Sequence, residues 1–330
     1  MRILVTGATG FIGSNLAQYL ANQGHEMVAT GRAETPVEQG RLERLTKLGV
    51  RVNAGSLLDA QYAASLVNGC TAVIHLAAAQ HEGNVPDAYF RDINVGATRE
   101  LIDAAVAAGV GRFVYGSTIG IYGEASQGQL DENSPPRPAN IYGRTKLEAE
   151  QLVRTYDSRI ETCIARISET YGPGDLRLLK LFKAIDRGRF IVLGSGQNLR
   201  QVIYVDDLIR ALILAAQHPM AVGQTFVYCG DEVMSTNDMV RQVADAVGRR
   251  AGGIRRIPIW PFRAAAAVLE TTLRPLGIQP PLTQRRLDFF TKSFLFSVKK
   301  SRELLDFSPQ VLFAEGAKKT AEWYRSSGYL

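Results

Sequence analysis

Tyr142 and Lys146 stand four residues apart in Tyr142-Gly-Arg-Thr-Lys146. On a helix that spacing sets a phenol and an ammonium on one face. A cation beside a phenol lowers its pKa, so the tyrosine can exchange a proton near neutral pH. Alone, such a pair is common and usually means a surface contact. Here Gly116-Ser117-Thr118-Ile-Gly-Ile-Tyr122-Gly123 lies upstream, directly after an apolar run that reads as a strand. Strand ends of open α/β sheets are where ligand groups gather. A hydroxyl there can hold a substrate oxygen while Tyr142 gives or takes its proton.

A second constellation opens the chain, Gly7-Ala-Thr-Gly10-Phe-Ile-Gly13. The first glycine permits a tight turn off a strand, the second lets backbone approach a pyrophosphate, and the third lets a helix pack on the strand. The helix start then offers unpaired N–H groups and a positive dipole end to phosphates. The pattern gains its force from its place between a strand and a helix. Dinucleotide sites for NAD(H) usually carry an acid about 20 residues on. Here the second strand ends in Thr30-Gly31-Arg32. Arg32 suits a 2′-phosphate, which favours NADP(H). Glu34 is the nearby acid that would serve NAD(H) instead.

The elements that must position these groups follow an alternating rhythm. Strands are expected at Arg2–Thr6, Glu26–Thr30, Val50–Asn53, Ala72–Leu76, Arg112–Tyr115 and Thr162–Ile167. Helices are expected at Ser14–Asn22, Asp59–Val67, Ala88–Ala108 and Ile141–Tyr156. Such alternation implies an α/β fold, a Rossmann-type doubly wound parallel sheet covered on both faces. After about residue 168 the rhythm weakens, with strands at Gln201–Val205 and Thr225–Tyr228 and helices at Asp207–Gln217 and Thr236–Val247. Residues 1–168 therefore read as the dinucleotide-binding core, with later strands returning to it. Residues 169–330 read mainly as a smaller substrate-binding lobe.

The 330 residues carry a net charge of +6, 46% apolar and 21% charged side chains. That composition excludes a disordered or fibrous chain. Three scattered cysteines exclude a disulfide framework and favour a reducing compartment. The four histidines show no ligand spacing, so no metal is expected. No apolar run reaches the ~20 residues of a spanning helix, and a cytoplasmic protein without a membrane span is expected. Residues 1–240 hold 22 basic and 25 acidic side chains, and residues 241–330 hold 16 and 7. The whole basic surplus lies in the last 90 residues, which contain no recognised nucleic-acid module.

The sequence resembles an extended short-chain dehydrogenase/reductase of the NAD(P)-dependent epimerase/dehydratase family. The matching stretches are Gly7–Gly13, Val73-Ile-His-Leu-Ala-Ala78, Asn94-Val-Gly-Ala-Thr98, Ser117–Gly123, Tyr142–Lys146, Arg166-Ile-Ser-Glu-Thr-Tyr-Gly-Pro173 and Tyr204-Val-Asp-Asp207. The resemblance implies Tyr142 as acid/base, Lys146 on the nicotinamide ribose and lowering the phenol pKa, and Thr118 as the substrate-binding hydroxyl. It implies a cofactor site drawn from Gly7, Thr9, Gly10, Phe11, Ile12, Gly13, Arg32, Ser56, Leu57, Leu76, Ala77, Ala78, Asn94, Ser117, Tyr142, Lys146 and Ile167. Substrate would meet Thr118, Glu169, Arg200 and His81. Asn94 would open a long helix and hold the active-site backbone. A homodimer built on the Ala88–Ala108 and Ile141–Tyr156 helices is also implied.

Departures from the family pattern narrow the reaction. The acid expected beside the adenine contact is Ser56. An Asn ahead of Tyr-Gly-Pro in nucleotide-sugar enzymes is Glu169. The acidic pair of dehydratases is replaced by Ile119 and Gly120, against 4,6-dehydration. Two substrates remain. Gly194-Ser-Gly-Gln-Asn-Leu-Arg200 is similar to a segment whose Arg grips a diphosphate, pointing to a nucleoside-diphosphate sugar. Arg200 paired with Asp206 or Asp207 is the plainer reading. Alternatively, Ile257-Pro-Ile-Trp-Pro-Phe262, Ala264–Leu269, Phe289, Phe290, Phe294 and Phe296 suggest an apolar pocket for an alcohol or ketone, as in 3β-hydroxysteroid or dihydroflavonol enzymes, or a membrane-facing surface, or else lobe core and dimer contact. A non-enzymatic cofactor sensor is disfavoured by the intact Thr118, Tyr142 and Lys146.

Overall fold

The computed structural model describes residues 1–80, 85–123, 128–249, 255–273, 278, 280–287 and 290–330. His81 and Phe289 fall outside them. Seven parallel strands form the central sheet: β1 (Arg2–Thr6), β2 (Glu26–Thr30), β3 (Val52–Asn53), β4 (Ala72–His75), β5 (Arg112–Thr118), β6 (Glu161–Ile167) and β7 (Gln224–Tyr228), in the order β7-β6-β5-β4-β1-β2-β3. β1 pairs with both β2 and β4. The chain thus runs outward to one side through β3 and to the other through β7. The crevice beyond the carboxyl ends of β1 and β4 is the topological switch point, where such sheets bind ligands.

The strands are buried on both sides, as a helix-covered parallel sheet requires. Successive side chains serve opposite cores. Ile3, Val5, Ile74 and Val114 join one apolar cluster, and Leu4, Val73, Phe113 and Tyr115 the other. The helices used below are α1 (Phe11–Asn22), α2 (Ala97–Ala107), α3 (Ile141–Arg154), α4 (Val205–Gln217), α5 (Trp260–Leu273) and α6 (Phe313–Ser326). Part of the region expected to be a lobe completes the core: β7 extends the sheet, and α4 and α6 contribute to the first cluster. Ile203–Tyr204 pairs with Thr170–Tyr171 outside the main sheet.

Two local differences from the sequence reading have physical causes. The helix expected over 88–108 is Asp87–Arg91, a π-helical stretch Asp92–Gly96, and then α2. The wider turn carries Asn94, which it sets against the loop after β4; π-turns recur at functional positions. A helix at Pro36–Lys47 was not expected. It is started by a capping box, with Thr35 accepting from the Glu38 N–H and the Glu38 carboxylate accepting from the Thr35 N–H.

Candidate active site

A cleft of about 630 Å³ opens at the switch point. Gly7, Thr9, Gly10, Arg32, Ser56, Leu57, Leu76, Ala77 and Ala78 line it, together with Glu34, Glu38 and Tyr89. Gly7 has φ +67°, and a Cβ there would stand 2.9 Å from the Ala77 nitrogen. Gly10 is the N-cap of α1, so the helix start faces the cleft without a side-chain cap. At Gly13 a Cβ would stand 2.1 Å from the Gly7 carbonyl oxygen. The third glycine therefore seats α1 on the turn and does not line the cleft. Phe11 and Ile12 pack on the core. These residues fit a dinucleotide: bare backbone, an open helix start and an apolar wall.

At the far mouth Arg32 donates to the Tyr89 hydroxyl at 3.2 Å and lies 3.6 Å from the Glu34 carboxylate. Neither the tyrosine contact nor the closeness of Glu34 was legible in the spacing.

The loop after β4 is anchored from beneath. Leu76 and Ala77 N–H groups donate to the Thr6 hydroxyl, each at 3.1 Å. Thr6 bonds His75 Nδ1 at 2.7 Å, and His75 Nε2 meets Thr98 Oγ1 at 3.0 Å. Burial, then Lys146, pulls the His75 pKa down to about 3, so the ring is neutral. Asn94 accepts from the Ala79 N–H at 2.8 Å and donates to the Ala79 carbonyl and to Thr145 Oγ1. It braces the loop and does not line the cleft.

Thr118 ends β5, opposite Ile167 on β6. Its hydroxyl accepts from the Gly120 N–H at 3.0 Å, and a Cβ on Gly120 would stand 3.2 Å from that hydroxyl and 3.9 Å from the Tyr142 ring, so the two side chains converge there. Asn140 caps α3 through the Gly143 N–H, which sets Tyr142 in the first turn. The loop and helix meet closely: a Cβ on Gly143 would stand 2.8 Å from the Gly120 carbonyl oxygen.

Lys146 lies one turn on and is 2% exposed. Its ammonium stands 4.1 Å from the centre of the Tyr115 ring. Burial pulls its pKa down to about 7, with Glu150 acting in the opposite sense. Tyr142 is pushed up to about 12 by burial, against the Thr118 hydrogen bond and the Arg177 charge. The phenol thus lies above its ordinary range, where a value near neutral was expected. The lysine is itself desolvated over an aromatic ring, and Arg177 and Thr118 ease ionisation of the phenol against burial.

A buried network missed from sequence lies behind the site. Ser117 donates to Glu150, so its side chain turns away from the cleft. Arg166 clasps the Glu150 carboxylate, with its shortest bond 2.9 Å, and donates to the Tyr122 hydroxyl at 2.7 Å. Glu150 follows Lys146 by four residues, the one signal that could have flagged it.

Glu169 and Arg200, both expected at the substrate, are brought together at 2.8 Å. Asp207 instead takes Arg210 and the Gln310 and Val311 N–H groups. The apolar stretch expected to line a pocket divides. Phe296 is core and Phe294 packs against it, and Phe290 faces Phe190. Trp260, Ala264, Ala265, Ala267 and Val268 are exposed. Among the described residues no helix is long and apolar enough to cross a membrane.

A model of the NAD dependent epimerase/dehydratase family matches residues 3–229. The chain is 28% identical to a UDP-glucose 4-epimerase of Vibrio cholerae, over 97% of this chain and 94% of the relative. It is 30% identical to a 2-alkyl-3-oxoalkanoate reductase of Stenotrophomonas maltophilia, over 97% and 98%. The structure of a UDP-glucuronic acid 4-epimerase from Bacillus cereus in complex with NAD superposes with a TM-score of 0.78, at 25% identity and 99% coverage of both chains.

Proposed function

Because the chain belongs to the NAD-dependent epimerase/dehydratase family, we propose that it moves hydride to or from a carbinol or keto carbon of a nucleoside-diphosphate sugar, with Tyr142 as acid/base. The observation that carries this reading is the convergence of Thr118, at the carboxyl end of β5, and Tyr142 on Gly120, where a Cβ would stand 3.2 Å from the Thr118 hydroxyl and 3.9 Å from the Tyr142 ring. Thr9, Gly10 and the start of α1 would hold the pyrophosphate, Ser56 and Leu57 the adenine, and Lys146 the nicotinamide ribose. When bound, the nicotinamide gives or takes the hydride. Thr118 holds the substrate oxygen. Tyr142, protonated at neutral pH, is ready to donate to it as a ketone is reduced and recovers the proton in reverse. Ile119 and Gly120 offer no carboxylate for elimination, which supports epimerisation or simple redox chemistry over dehydration.

Tyr142→Phe should cut turnover by roughly 10²–10⁴-fold while the protein still binds cofactor. Turnover at the parent rate would remove the phenol from the mechanism. Substrate class is tested by heat stabilisation with UDP. A second reading, reduction of an apolar ketone, is favoured by the Glu169–Arg200 pair, which occupies the cation a diphosphate would need. The name of the Stenotrophomonas relative points the same way. Stabilisation by a long-chain 3-oxo acid or a steroid and not by UDP would select it.

For the cofactor we favour NADP(H), with Arg32 on the 2′-phosphate and NAD(H) served by Glu34 as the competing choice. The Arg32–Glu34 pair is exposed and weak, so a phosphate can take the guanidinium from it. Arg32→Ala should raise the KM for NADP(H) by about tenfold and spare NAD(H); an unchanged NADP(H) constant refutes the assignment. The homodimer through α2 and α3 is a further expectation, read by sedimentation.

A further inference from the structure

Helix α5 reverses the usual arrangement of a surface helix, polar side out. At 3.6 residues per turn, Phe262, Ala266, Leu269 and Leu273 share one face, and it is this face that is buried or half-buried. The outward face carries Trp260, Pro261, Ala264, Ala265, Ala267 and Val268, all exposed, with Trp260 71% and Val268 62% open to solvent. Thr271 and Thr272 share that face, but their hydroxyls donate back to the Ala267 and Val268 carbonyls, each at 2.8 Å. A contiguous apolar strip of this kind is not left to water without a reason.

Charge indicates what covers it. Exposed Arg263 falls beside Trp260 and Ala267 at the margin of the strip, and exposed Arg255 and Arg256 lie on the short strand just before the helix. Glu270 is the one acid of α5. The basic excess of the chain, 16 basic against 7 acidic residues, is confined to 241–330. At 14 residues α5 is too short to span a bilayer.

We propose that α5 docks the protein on an anionic lipid surface, lying in the headgroup plane with Trp260 and Val268 inserted and the flanking arginines on lipid phosphates. Apolar burial and electrostatic attraction act together in such helices, and both are needed for binding. The proposal stands apart from the identity of the substrate, since α5 holds none of the residues assigned to chemistry.

The chain has two tryptophans, which makes the test direct. Trp323 packs on Tyr324 and Tyr329, so Trp323→Phe leaves Trp260 as the reporter. With phosphatidylcholine vesicles containing phosphatidylglycerol, its emission should shift to the blue and the protein should co-sediment. Both effects should fade as salt is raised. Adding Ala264→Asp and Val268→Asp, at exposed positions that the fold does not use, should weaken co-sedimentation at least about tenfold. Unchanged emission with anionic vesicles would overturn the proposal. So would equal binding to pure phosphatidylcholine. A blue shift that follows protein concentration without lipid would assign the strip to a second copy and overturn it as well.

Discussion

Replacing Lys146 by Met separates the chemistry of the lysine from its effect on the fold. Burial pulls its pKa from 10.5 down to about 7. Between those values the folded chain binds fewer protons at this site than the unfolded chain. Stability therefore rises with pH across the window, and the penalty of the buried charge is fully present below about pH 7. At about 1.4 kcal/mol per unit the full penalty is about 5 kcal/mol. Roughly 3 kcal/mol of it is relieved between about pH 6.5 and about pH 9.5. Methionine keeps an unbranched stem without the charge. K146M should thus be more stable than the parent near pH 6.5, and the gap should narrow by about 3 kcal/mol toward pH 9.5. Denaturant unfolding of both proteins at each pH measures it, because other titrating groups cancel in the difference. Turnover should be lost at every pH. A stability gap that stays constant with pH would refute the charge penalty and leave only altered packing against Tyr115.

Gly13→Ala places a methyl where 2.1 Å separates it from the Gly7 oxygen; it should lower stability by about 3 kcal/mol or more and abolish NAD(P)H binding, read by melting temperature and nicotinamide fluorescence. Arg166→Met strands the Glu150 carboxylate in the interior, 5% exposed, and should cost about 3–5 kcal/mol, with much of the loss recovered on adding Glu150→Gln. Asn94→Ala leaves both Ala79 backbone groups and Thr145 without their partner. It should raise the cofactor KM by roughly tenfold with a smaller effect on kcat.

The sheet was legible because its strands are continuous apolar runs and its key turn is glycine, features that act locally. Gly7, Gly10 and Gly13 fall at the turn between β1 and α1 for the same reason. The Ser117–Glu150–Arg166–Tyr122 network was not legible: its members are separated by up to 49 residues and meet only when β5, β6 and α3 assemble. The π-turn at Asn94 escaped because the surrounding pattern is helical on both sides. The capping box at Thr35 and Glu38 was present in the sequence and shows how a polar helix can be overlooked when apolar periodicity is the guide. The Tyr142 phenol was expected to titrate near neutral pH, and burial, a tertiary property, pushes it up to about 12. The apolar content of α5 left pocket, membrane-facing surface, core and dimer contact all open, since composition does not say which way a helix faces.

The chain of hydrogen bonds beneath the site has only one consistent direction. Thr6 accepts from two N–H groups, so its own proton goes to His75 Nδ1. Neutral His75 then carries its hydrogen on Nε2 and donates to Thr98, whose proton is spent on the Asn94 carbonyl at 2.8 Å. From the same residue the Asn94 amide reaches Thr145, and Thr145 donates to the Ile141 carbonyl at 3.0 Å. The loop that walls the cleft and the first turn of α3 that bears Tyr142 are therefore held by a single polar thread through the core. A charged imidazole would need to donate from both nitrogens, and Nδ1 would then oppose the Thr6 proton. Keeping His75 neutral lets Thr6 bind Leu76 and Ala77 at all pH values at which Tyr142 and Lys146 work. The geometry between cofactor wall and phenol is thus insulated from the titrations that carry the chemistry.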